Sequence, residues 1–258
     1  MEKHIILTAF GTSTQAQTTY DHLHSLITPR FPDSQFHWTC SSPVIRRNIN
    51  KIGDAQIYSL SELISQLNGS SKNQIVIQSM HVLPGHEFHR MVRESQQTSI
   101  MSAIGMPLLS TPDDYHRVSD CLMPLMASNK KRAIVILGHG TTHPCWTGYP
   151  ALERVLRKRA GSHIFVAALE NYPHSGSVIE EIIASGYQEI LLIPFLMVAG
   201  MHFLRDISGN SPQSWKSLCR QNNIRLILHE QGLGMLPGIA DIFSDHLKQA
   251  FGSLNQQQ

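Results

Sequence analysis

The sequence predicts an α/β fold of two similar domains. Each is a parallel sheet flanked by helices, related by an internal pseudo-twofold repeat, with an active-site cleft between the halves. Three observations carry this expectation: apolar runs of strand length recur, amphipathic stretches fill the gaps, and the pattern of one half returns in the other. A chain of 258 residues with 41% hydrophobic content can fill cores of that size.

The elements follow in order. HIILTAF (4–10) is a buried strand running into FGTST, and Thr18–Thr28 is an amphipathic helix. SQFHWTC (34–40) and QIVIQSM (74–80) are further strands, and EFHRMVRE after the second reads as a helix that Glu87 opens. Asp113–Met126 is helical. AIVILG (133–138), HIFVAAL (163–169) and EILLIPFL (189–196) are strands, with helices at Tyr149–Arg159 and Ser177–Ser185 between them. GSSKN (69–73) is a surface turn, and ASNKKR (127–132) is a polar linker that places the halves at 1–128 and 129–258.

The repeat has three parts in the same order. ILTAFGTST (6–14) parallels VILGHGTTH (135–143), FHWTCSSP (36–43) parallels FVAALENYP (165–173), and SMHVLPGHEF (79–88) parallels FLMVAGMHF (195–203). Parallel strands buried on both faces deliver the residues after their carboxyl ends to a ligand crevice. Those residues are therefore the functional candidates.

Composition narrows the function. A net charge of +2 lacks the positive excess that nucleic-acid binding demands. No stretch approaches a membrane span, and the apolar run near the N-terminus is too short for a secretion signal, so a cytoplasmic location is expected. Cys40, Cys121, Cys145 and Cys219 form no C-x-x-C pair, which argues for free thiols over a cluster or structural zinc. Fifteen histidines are many for this length, and imidazole suits borderline metals. No Walker pattern occurs, and GHGTTH lacks the third glycine of a dinucleotide fingerprint, so no ATP machinery is expected.

In the second half the strand ends carry His139, Glu170 and His202. Two imidazoles and a carboxylate suit cobalt, nickel, ferrous iron or zinc, and three ligands leave coordination positions open for exchange. Taken singly, each residue also fits a structural role: a hydrogen-bonded histidine at 139 or 202, a helix cap at 170. Their common placement at strand ends argues for a metal site.

At this point the chain resembles a known family. GHGTTH, ALENYP, PFLMVAGMH and SWK (214–216), with AFGTS, SPVIRR and IQSMHVLPGHE, are similar to the anaerobic cobalt chelatases of cobalamin (vitamin B12) biosynthesis. These are class II, ATP-independent tetrapyrrole chelatases acting on sirohydrochlorin. The resemblance runs from residue 4 to about residue 250. It implies that His139, Glu170 and His202 bind Co2+ as substrate metal, with Fe2+, Ni2+ and Zn2+ as alternatives. It also favours Arg46 and Arg47 as contacts for the acidic ring. Met201 stands where the family commonly has an acidic residue, and Pro84 and His86 alter the loop VLPGHEF.

Metal insertion removes two pyrrole protons and bends the ring, so a proton acceptor is needed beside the ligands. Glu170 is one candidate. Glu87, set against His202 when Gly85 is aligned with Gly200, is the other. Arg90 and Arg93 are further rim cations, and Thr12, Ser13 and Thr141 are donors to the ring edge or helix caps. His81, His86, His89, His143 and His174 have no assigned role. The rival readings are an iron- or nickel-inserting chelatase on the same scaffold, and a haem- or tetrapyrrole-binding protein without turnover. A metal-dependent hydrolase is weaker, because no H-E-x-x-H pattern is present. The subunit number, a homo-oligomer included, is left open.

Overall fold

The computed structural model describes residues 2–52, 56–67, 73–97, 102–126 and 131–256. It contains two four-stranded parallel sheets with the same strand order. In the first, β1 (Lys3–Ala9) lies between β2 (Ser34–Cys40) and β3 (Gln74–Ser79), and β4 (Ser102–Gly105) forms an edge. In the second, β5 (Ala133–Gly138) lies between β6 (Ile164–Ala168) and β7 (Glu189–Phe195), with β8 (Arg225–Leu228) at the edge. β3 and β5 are buried along their whole length, as strands covered by helices on both faces must be.

The helices are α1 (Thr18–Ile27), α2 (Pro43–Ile52), α3 (Leu60–Leu67), α4 (His86–Gln96), α5 (Pro112–Met126), α6 (Gly148–Ala160), α7 (Ser175–Ala184), α8 (Trp215–Gln221) and α9 (Ile239–Gln256). Among the described residues no helix is long and apolar enough to cross a membrane. One core packs α3 and α4 on β1 and β3 through Leu63, Ile64, Phe88 and Met91. Another packs α7 and α8 on the second sheet through Ile179, Ile182, Trp215 and Cys219.

The chain divides into two compact units, Met1–Ser110 with Gly238–Gln258, and Thr111–Pro237. This differs from a cut between residues 128 and 129. α5 belongs to the second unit, where Arg159 of α6 donates to the His116 carbonyl at 3.1 Å and pairs with Asp120. α9 returns to the first unit. There His246 meets the Met106 carbonyl at 3.0 Å, Gln74 donates to Asn255 at 3.2 Å, and Arg30 pairs with Asp241. The segment ASNKKR thus joins α5 to β5 inside one unit; its residues 127–130, and residues 69–72 of GSSKN, lie outside the described residues.

The six predicted strands are present, and β4 and β8 are additional. Both are four-residue edges, SAIG and RLIL, too short and too mixed in polarity to announce themselves.

Candidate metal centre

Three of the four strands of the second unit, β5, β6 and β7, lead into the segments that carry the candidate side chains. β5 runs into His139 and then Gly140, whose φ is +92°. A side chain on Gly140 would place its Cβ 1.6 Å from the Glu170 carbonyl oxygen, so only glycine lets these two turns meet. The Gly140 N–H donates to the Tyr149 hydroxyl at 2.9 Å, fixing the turn to α6. Burial pushes the Tyr149 phenol up to about 12, with the Gly140 N–H acting the other way, so it stays a neutral hydroxyl.

β6 leads to Glu170, whose N–H donates to the His139 carbonyl at 2.9 Å. Its carboxylate is solvent-exposed and within electrostatic reach of Arg205. β7 leads to His202 at the head of a π-helical turn, Phe203–Ile207, a widened turn of a kind frequent at functional sites.

The structure brings His139 and His202 together, their Nε2 atoms 3.1 Å apart and their rings at 86°. His202 Nδ1 lies 2.8 Å from Asp206 Oδ2, and His139 Nδ1 lies 3.2 Å from the Gly140 carbonyl. Asp206 is kept ionised by hydrogen bonds from Arg205 and, secondarily, from His202, which hold its carboxyl below the usual range. A carboxylate and a carbonyl can only accept. A neutral imidazole that donates from Nδ1 to such an acceptor presents its Nε2 lone pair to the other ring. Two Nε2 lone pairs so placed would share a cation set between them. Glu170 does not share in this contact: among the described residues no three His, Cys, Asp or Glu side chains stand assembled to hold a metal ion.

Asp206 was not among the sequence candidates. Its signal was present, a carboxylate four residues after a histidine in a helical segment, which sets the two side chains on one face.

The remaining candidates take local roles. Thr141 Oγ1 accepts from the His143 N–H at 3.1 Å, and His143 Nδ1 accepts from Cys145 N–H at 3.2 Å, capping a 3-10 turn at Pro144–Thr147. Thr12 is buried and shares a hydrogen bond with Thr14 at 2.9 Å, while Ser13 is exposed. Arg46 Nη1 donates to the Cys40 carbonyl at 2.9 Å, and the exposed Arg47 donates to Pro43 at 3.3 Å. Glu87 sits in the first turn of α4 and forms an ion pair with Arg90, which also donates to the Ser41 carbonyl. His81 bridges Ser79 at 2.9 Å and Ser41 at 3.2 Å; burial, aided by the Arg90 charge, lowers its pKa to about 4. His86 and His89 are exposed on α4, and His174 stands at the N-terminal boundary of α7 without a side-chain capping bond.

Comparison with known proteins matches this architecture. The chain is 28% identical to "Sirohydrochlorin cobaltochelatase CbiKC" of Nitratidesulfovibrio vulgaris, covering 98% of this chain and 92% of that one. It is 27% identical to the sirohydrochlorin cobaltochelatase of Salmonella typhimurium, covering 97% of both. Its fold is similar to that of the sirohydrochlorin chelatase SirB from Bacillus subtilis subspecies spizizenii in complex with cobalt, with a TM-score of 0.63, 12% identity and coverage of 100% of this chain and 98% of that one. The model of the cobalt chelatase (CbiK) family matches residues 3–252, and the chain belongs to that family of metal chelatases.

Proposed function

We propose that this enzyme inserts Co2+ into sirohydrochlorin in cobalamin biosynthesis without ATP, with His139 and His202 holding the metal as substrate. The observation that carries this reading is the approach of the two Nε2 atoms to 3.1 Å. Two nitrogens each about 2.0–2.1 Å from one ion, at angles of about 90–110°, stand roughly 2.8–3.4 Å apart. The pair is therefore preset for a metal, and the relatives' names supply cobalt and sirohydrochlorin.

Glu170, on the adjoining turn, completes the ligand set by a side-chain rotation, since its main chain is already tied to His139. Ring insertion releases two pyrrole protons, for which Glu170 and Glu87 are the proposed acceptors. Arg46 and Arg47 meet carboxylate arms of the ring, and Thr12, Ser13 and Thr141 contact its edge. Imidazole and carboxylate also accept Fe2+, Ni2+ and Zn2+, so competition among these ions over purified sirohydrochlorin decides the metal. Cys40, Cys121, Cys145 and Cys219 form no disulfide among the described residues, which fits a reducing compartment, and a cytoplasmic location is part of the proposal.

The test is Co2+ titration and insertion kinetics of His139→Ala and His202→Ala. Each should lose cobalt binding and insertion by more than the about 10- to 100-fold that an outer-sphere loss costs, with unfolding unchanged. Wild-type turnover at limiting metal in either variant overturns the assignment. Glu87→Gln in the same assay should slow insertion without weakening metal binding.

A further inference from the structure

The second unit exposes large apolar side chains in a pattern that the metal chemistry does not use. Among its described residues the exposed large hydrophobics are Trp146, Tyr172, Ile183, Met201 and Leu204. All but Ile183 lie on the turns that carry His139, Glu170 and His202. Trp146 follows the His139 turn, Tyr172 stands two residues after Glu170, and Met201 and Leu204 flank His202. Scattered apolar residues on a surface need no explanation, but concentration at the mouth of three adjoining strand ends does.

Two of these residues are ordered against each other. The Trp146 and Tyr172 rings meet edge to face at 5.1 Å and 78°, and Tyr172 meets His174 at 6.1 Å and 86°. Trp146 is 37% and Tyr172 50% exposed, so each ring is braced on one side and open on another. Their helices and cores do not need them: neither belongs to the buried cluster of the unit. A braced aromatic ledge offers a π face and flat apolar area, which suits a wide conjugated ring and gives little to a bare metal ion.

We infer that Trp146 and Tyr172, with Met201 and Leu204, form a ledge that holds the face of the tetrapyrrole macrocycle beside the imidazole pair. This rests on the chelatase reading above and deepens it, since the arginines address only the ring's carboxylate arms. The ledge recognises the conjugated ring itself. Its continuity with the His139 and Glu170 turns argues for this occupant over any other.

The test uses metal-free sirohydrochlorin, its binding measured anaerobically by equilibrium dialysis and ring absorbance, and Co2+ binding measured separately with the metal alone. Trp146→Ala and Tyr172→Ala should each weaken ring binding about fivefold or more, a fold-change typical of lost stacking. Trp146→Phe and Tyr172→Phe should restore most of it. Co2+ binding should stay at the wild-type level in all four variants, and Ile183→Ala should change neither measurement. Unchanged ring binding in both alanine variants overturns the ledge while leaving the chelatase reading intact. If the wild-type protein binds no ring, the chelatase reading and the ledge fall together. A parallel loss of Co2+ binding in the alanine variants overturns the ledge as well, because the residues would then act through the shape of the turns.

Discussion

The two units share a backbone mould and differ in what they cast from it. Gly11 has φ +94° and Gly140 +92°, and each N–H is held by the hydroxyl of a buried tyrosine nine residues on, Tyr20 or Tyr149. Ser41 N–H donates to Ala9 at 2.7 Å as Leu169 N–H does to Gly138 at 2.9 Å, and Ser42 N–H reaches Phe10 at 3.4 Å as Glu170 N–H reaches His139 at 2.9 Å. By this register and by the repeat, Phe10, Ser42 and Glu87 occupy the positions of His139, Glu170 and His202. Two imidazole Nε2 atoms meet in one unit. In the other, Glu87 is neutralised by Arg90 and the nearby His81 is locked between two serines. The turn geometry is thus a property of glycine and tyrosine, and the units differ in the side chains set upon it.

The strongest way to break this comparison is to press on the two glycines. In Gly140→Ala the new Cβ meets backbone, the Glu170 carbonyl at 1.6 Å, whereas in Gly11→Ala it meets side-chain atoms, Cys40 Sγ at 2.6 Å and Ile45 Cγ2 at 3.0 Å. Both pay for positive φ, about 1–2 kcal/mol. Gly140→Ala should lose well over about 3 kcal/mol in urea unfolding or fail to fold, and Gly11→Ala should stay near the lower figure. Equal losses would mean that the turns are not constrained differently.

Asp206 sharpens the contrast next, because among the described residues the first unit has no counterpart to its bond with His202 Nδ1. Asp206→Ala should weaken Co2+ binding about 10- to 100-fold by isothermal titration, with Asp206→Asn between it and wild type. Wild-type affinity in Asp206→Ala would unseat the tautomer argument.

The last contrast concerns His81, a residue of the first unit. Its folded pKa of about 4 lies below the unfolded value of about 6.5, so the unfolded chain takes up a proton first as pH falls. The protein should therefore lose stability between about pH 6.5 and 4, by roughly 2–3 kcal/mol for this group. His81→Gln should remove that share from the pH dependence of urea midpoints, and an unaltered acid limb would show that other groups set it.

Much of this was legible because the informative residues are local. Central strands such as AIVILG declare themselves by unbroken apolar runs, and a histidine between two glycines after such a run marks the turn. The His139–His202 meeting followed from parallel strand order. What was not legible depends on partners far away in sequence. SAIG and RLIL become strands only because β3 and β7 offer them an edge, and nothing in the pattern of Ile239–Gln256 says which sheet it will cover. Asp206 was readable by spacing, yet its role as orienter emerges only once the π-helical turn is seen.

The return of α9 to the first unit has a consequence for how the protein is made. Residues 111–237 form one uninterrupted unit, while the first unit needs residues 238–258 to close over β3 and β4. On a ribosome the order of completion is inverted relative to the usual N-terminal-first rule. The unit bearing the imidazole pair has all of its chain before the first unit does, and the β3–β4 face of the first unit waits uncovered for α9 to emerge. A chain cut before α9 would thus damage the unit whose other residues lie before residue 111.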